Sequence, residues 1–201
     1  MFKKILILTL FIVSLSGQVL AKTQASKKNS EKIMEIFNKE RFEKNMKDGE
    51  YNFKMPNGMV VRQVKFGTDT YVEYTKYPHS AKEILKEYDA HSLNLKTQGE
   101  TFHGFKIGIW TEYGKHGEVT TKINADGPYQ FSIDDLVKKM QEIGVDIMRE
   151  EAHLQVSRST NPSPVYNVSY PLSPKSHTVN VLIIDGRNGE ILNKSQVTVE
   201  G

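Results

Sequence analysis

Six histidines are the first residues of this 201-residue chain that could hold a metal or move a proton. No HExxH occurs, and His91, His103 and His116 stand on separate expected turns at a spacing with no ligand logic of its own. Cysteine is absent, which removes thiolate zinc sites, iron–sulfur clusters, disulfides and cysteine nucleophiles together. Asp185-Gly186-Arg187-Asn188-Gly189-Glu190 gathers oxygen donors as a calcium loop would. An EF-hand, however, needs donors where Arg187 and Gly189 stand, so the segment is expected to form a hairpin turn. The chain has no G-x-S-x-G, no S-x-x-K and no glycine-rich phosphate cradle between a strand and a helix. Asp134 and Asp135 open an expected helix, where the macrodipole favours negative charge. Glu150 and Glu151 are adjacent, so on a strand they point to opposite faces and cannot act as one acid–base pair. No catalytic residue, metal or cofactor is therefore expected. The rival is an enzyme whose His, Glu and Tyr residues are brought together from a distance, which requires three of them in one pocket.

Aromatic residues remain as candidates for binding. Phe105, Ile107, Ile109, Thr111 and Tyr113 alternate with Lys106, Gly108, Trp110 and Glu112. If Ile107, Ile109 and Tyr113 fill a core, Trp110 lies on the opposite surface with Lys106 and Glu112, and a tryptophan among charges has the composition of an interface anchor. Trp110, Tyr113, Lys106 and Glu112 are the candidate binding residues. The alternative is that a second layer, such as an N-terminal helix, covers Trp110.

These residues need elements to hold them. Ser30 is placed to cap a helix running to about Lys47, with Ile33, Met34, Ile36 and Phe37 on one face. From Gly49 to Asn124 the hydrophobic period is two, which predicts an antiparallel meander. Turn residues at Gly58, Gly67, Gly99 and Gly117 punctuate it, and Pro78-His79-Ser80 followed by AKEILKEY reads as a short helical excursion. Gly49, Tyr51, Gly58 and Val60 recur at the same offsets as Gly108, Trp110, Gly117 and Val119. That spacing suggests a repeated hairpin whose aromatic packs over the partner strand's turn glycine. Ser132 with Asp135 then opens a second helix, striped by Ile133, Leu136, Val137 and Met140 and ended by Gly144. Strands are expected near 145–156, 165–170, 179–184 and 191–199, the last two joined at Gly189.

Met1–Ala21 has a basic start, an apolar run from Ile5 to Val13 and a small residue at the cleavage edge, the layout of a secretory signal. Residues 22–29 read as a flexible tether, 30–126 as a helix-plus-meander module and 127–201 as a helix-plus-sheet module. The product is expected in the periplasm or outside the cell. Subtracting Lys3 and Lys4 leaves 25 basic residues (27 less 2) against 24 acidic. A near-neutral chain argues against a nucleic-acid partner and against strong membrane attraction. Its oligomeric state is open.

GIWTEYGKHGEV, Gly108 to Val119, resembles the glycine–tryptophan–tyrosine–glycine pattern of MORN-type repeat variants, and DGEYNFKMPNGMV, Asp48 to Val60, is similar to a second copy lacking one aromatic. Phe131 to Val199, with VNVLIIDGRNGEIL near its end, is similar to PepSY-like domains. These resemblances imply binding: MORN-type sheets contact proteins or lipids and occur in antitoxin-like proteins, and PepSY-like modules modulate envelope enzymes. The combined expectation is an exported α+β protein with an N-terminal helix, MORN-like hairpins and a helix packed on a C-terminal sheet. Its expected role is non-catalytic binding of another protein, such as a periplasmic toxin or hydrolase that it inhibits.

Overall fold

The computed structural model describes residues 34–149, 151, 153–173 and 176–198. They form α1 (Lys39–Asn45), a meander of β1 (Glu50–Lys54), β2 (Val60–Phe66), β3 (Thr70–Lys76), β4 (Lys82–Asp89), β5 (Leu95–Phe102), β6 (Phe105–Tyr113) and β7 (Val119–Asn124), then α2 (Ile133–Glu142) and β8 (Gln155–Ser159), β9 (Val165–Pro171), β10 (Thr178–Asp185) and β11 (Ile191–Thr198). The meander is one seven-stranded antiparallel sheet in chain order, and the last four strands form a second sheet ordered β11-β10-β9-β8. The expected α+β balance is overturned. Among the described residues helix is confined to segments of seven and ten residues, and the architecture is predominantly antiparallel sheet.

Two expected helices give way for identifiable reasons. In the described part of the first, Ile36 bridges Asn94, Phe37 N–H donates to the Leu93 carbonyl at 2.8 Å, and Leu95 N–H donates to the Glu35 carbonyl at 3.1 Å. This extended pairing lays Phe37 on Tyr71, with ring centroids 4.3 Å apart and planes 14° from parallel, and that aromatic burial outweighs helix propensity. Helix begins only at Lys39, capped by Asn38, whose side chain accepts from Arg41 N–H at 2.9 Å. The expected Ser30 cap and the Met1–Ala21 leader lie outside the described residues. AKEILKEY, apart from Ala81, lies in the interior strand β4, paired with β3 and β5. Its apolar residues divide between the two faces of the sheet, a distribution that helical spacing mimics over eight residues.

Antiparallel partners share a face, so the registers assign each side chain. One face of the meander carries Tyr71, Tyr88 and Leu95 at one end, covered by Phe37 and Phe42, and Phe102 and Ile107 at the other. Phe102 and Ile107 join Leu136 and Met140 of α2 and Val156, Tyr166, Val168, Leu182 and Ile184 of the second sheet in one buried cluster. The two expected modules thus share a core within one compact unit, Lys32–Gly201. α2 carries the full capping box between Ser132 and Asp135, and Gly144 ends its last turn at φ 79°.

Arg158 of β8 fastens the sheets together. Its guanidinium pairs with Asp126 at 2.6 Å, donates to the Ala125 carbonyl at 2.8 Å and to the Lys106 carbonyl, and lies over the Tyr129 and Phe105 rings. The other Asp126 oxygen accepts from Gly108 N–H at 2.7 Å, so the same network fixes β6 where it bulges.

Candidate functional site

The four residues expected to bind do not form one outward patch. Gln98 pairs with Thr111 and Glu100 with Ile107, so the three residues Gly108, Ile109 and Trp110 stand opposite Gly99 alone. Gly108 takes φ 64° to accommodate them. This bulge lays the Trp110 ring on Gly99, so closely that a Cβ there would fall 2.3 Å from the ring. The indole N–H donates to the Glu100 carbonyl at 3.1 Å, and the Lys106 ammonium sits 4.0 Å above the ring. Trp110 is 2% exposed, which corrects its expected role as an exposed anchor. Lys106 and Glu112 are exposed on its side of the sheet, whereas the half-buried Tyr113 packs against the Phe37–Phe42 cluster on the other. Ile109, expected in the core, is 54% exposed.

The proposed repeat is likewise not a matched pair. Gly49, Gly58, Gly108 and Gly117 all hold positive φ, but Tyr51 and Trp110 fall on opposite faces, and Gly117 lies against Met34 instead of the tryptophan. At Gly189, φ is 75° and an added Cβ would meet the Phe131 ring at 2.4 Å, so that turn admits only glycine. The Asp185 carboxylate accepts from Arg187 N–H at 2.7 Å and from its guanidinium at 2.5 and 3.0 Å, which holds its pKa down at about 2. Both of its oxygens thus serve the turn, as the hairpin reading requires.

A different surface has the makings of a site. In the four-stranded sheet Val156, Tyr166, Val168, Leu182 and Ile184 face the core. The registers put Gln155, Ser157, Asn167, Ser169, Val181, Ile183, Asn193, Ser195 and Val197 on the outer face. None of these is charged, in a chain that is 25% Asp, Glu, Lys and Arg. The carboxylate on that side, Asp185 at the end of β10, is engaged by Arg187. Across β8, β9 and β10 lies a hollow of about 630 Å³, lined by Gln155, Ser157, Asn167, Ser169, Val181 and, at the β8 edge, His103. Gln155, Ser157, Asn167 and Ser169 make no side-chain hydrogen bond among the described residues, so their amides and hydroxyls are free to donate and accept.

His103 and Gly104 form the tight β5–β6 turn, both at positive φ. His103 Nε2 lies 2.7 Å from the Ile147 carbonyl, which can only accept, so Nε2 carries the proton. Among the described residues it is the one histidine lining this hollow, and the lining includes no carboxylate. Among the described residues no group of three or more His, Asp or Glu side chains could hold a metal ion. The surface is equipped for neutral hydrogen bonding across a flat, partly aliphatic floor. Its one sequence signal was composition: Gln, Ser and Asn alternate with the core residues of QVSRS and VYNVSY, where surface strands usually carry charge.

A second cluster ties the segment before α1 to the meander. Glu35 accepts from Lys86 at 2.6 Å and from the Tyr88 hydroxyl at 2.7 Å. Burial and the Glu35 contact push the Tyr88 phenol up, while Lys86 and Tyr88, acting against burial, hold Glu35 below the usual carboxylate range. All three are occupied in holding that segment down. No protein-family model, curated protein or solved structure matches this chain.

Proposed function

We propose that this chain is an exported, non-catalytic binding protein of the bacterial envelope that docks another protein on the outer face of its four-stranded sheet. The carrying observation is the set of uncommitted side chains, Gln155, Ser157, Asn167 and Ser169, on a face whose described strand residues include no free charge. Interface cores are depleted in charged residues because each buried ion must be desolvated, whereas neutral amides and hydroxyls exchange water for a partner at little cost. The Met1–Ala21 leader supports export, and the near-neutral remainder favours a protein partner over nucleic acid or lipid. No helix among the described residues is long and apolar enough to cross a membrane. A narrower version, in keeping with the MORN-type and PepSY-like resemblances, is an inhibitor or immunity-like protein for a periplasmic toxin or hydrolase.

A photo-crosslinking residue at Ser169 is expected to trap one discrete partner in periplasmic extract, and Ser157→Arg to abolish that product. Crosslinking from Glu112 on the meander but not from Ser169 would remove the outer face from consideration.

A further inference from the structure

Gln155 and Ser169 stand directly opposite each other on β8 and β9, and Ser157 stands opposite Asn167. All four line the one hollow, and none bonds another side chain of the described residues. The two amides therefore occupy diagonal corners of a square of neutral groups, about 7–8 Å apart. Each carries an N–H donor beside a carbonyl acceptor in one plane. An extended chain repeats that pattern: a residue turns its own N–H and C=O to one edge, and the next but one does so again about 6.8 Å further on. We propose, resting on the docking role of this face, that it receives an extended segment of the partner protein. Gln155 and Asn167 would each bond the N–H and C=O of alternate residues along the segment's open edge.

The chemistry of the lining favours this occupant over others. Among the described residues it holds no Asp, Glu, Lys or Arg, so a charged side chain entering it would lose water and gain no opposite charge. It also holds no Phe, Tyr or Trp ring to receive the apolar face of a sugar. A helix satisfies its backbone amides internally and would leave Gln155 and Asn167 without partners. An extended edge has the opposite need, since each of its N–H and C=O groups must find a partner once water is excluded. His103 contributes a further acceptor: its Nε2 proton is spent on the Ile147 carbonyl, which leaves Nδ1 a lone pair. Val181, paired with Ser169 on the side away from β8, gives an aliphatic contact for one side chain of the segment. The hollow of about 630 Å³ falls within the roughly 300–1,000 Å³ of small-ligand sites and has room for a short stretch of chain. Because the bonds go to main chain, extended shape and neutrality are recognised in place of a particular residue order.

Titration of the isotope-labelled protein with a capped tetra-alanine reads this site through the side-chain NH2 resonances of Gln155 and Asn167. Both are expected to shift, with a Kd on the order of 1 mM, as suits two amide pairs on a flexible peptide. The same peptide N-methylated at all four residues lacks the main-chain donors and is expected to shift neither. Asn167→Asp keeps the shape and removes the donor, so it should weaken tetra-alanine by about tenfold, followed at Gln155. Asn167 bonds no side chain of the described residues, so this variant is expected to fold, which circular dichroism checks. Absence of a shift with tetra-alanine, an equal shift with the N-methylated peptide, or shifts produced only by an N-acetylglucosamine tetramer overturns the proposal. A null titration beside a discrete Ser169 crosslink refutes the extended segment and spares the docking surface. An intact titration without that crosslink supports main-chain recognition and counts against the periplasmic partner.

Discussion

The Trp110 face of the meander and the outer face of the four-stranded sheet reverse the ranking that residue types alone suggest. The first holds the chain's one tryptophan beside charged neighbours, and the β6 bulge seals that ring against Gly99. The second holds serine, asparagine and glutamine, which leave their hydrogen bonds open. The contrast teaches that a side chain's availability is set by local backbone geometry before its chemistry counts. Two extra residues in a strand suffice to turn an expected anchor into core.

Trp110→Ala is expected to cost about 3–5 kcal/mol, read by denaturant titration, because it empties a filled site. A cost under about 1 kcal/mol would return Trp110 to the list of surface anchors. Arg158→Ala is expected to cost about 2–4 kcal/mol, since it strands Asp126 and loosens the Gly108 bulge that seats the tryptophan. A blue shift or quench of the native Trp110 emission that stays unchanged in Arg158→Ala would show the bulge to be independent of the clamp.

Gly99→Ala should cost about 1–3 kcal/mol, because its methyl must displace the indole. Asp185 gives a narrower effect. Its folded pKa lies below its ordinary value of 3.8, so its stabilisation is present above about pH 4 and is lost as pH falls towards about 2. Asp185→Asn is expected to flatten the melting-temperature profile in that window and leave its slope between about pH 5 and 7 unchanged. Ser157→Arg should alter stability by no more than about 0.5 kcal/mol, as an open surface site does. A larger loss would mean that this hydroxyl is committed to the fold.

Legibility varied by element in a physically intelligible way. The turns at Gly58, Gly117 and Gly189 were readable because positive φ leaves few residue choices, and Ser132 with Asp135 because a capping box is a local bond. AKEILKEY was not: eight residues satisfy a helical stripe and a two-faced interior strand equally well, and only pairing on both sides decides between them. The segment at Ile36 and Phe37 was misread because its partners, Asn94 and Tyr71, are distant in sequence. The outer-face residues were visible as polar strand positions, but their shared hollow depends on the registers of three strands.

By itself the sequence determined what short-range physics controls: strand period, turn chemistry, the second helix's cap, the lack of thiol chemistry and a near-neutral balance of charge. The tertiary structure alone decided which faces were sealed. Burial depends on register, bulges and the junction that Arg158 makes between two sheets, and each of these joins residues far apart along the chain.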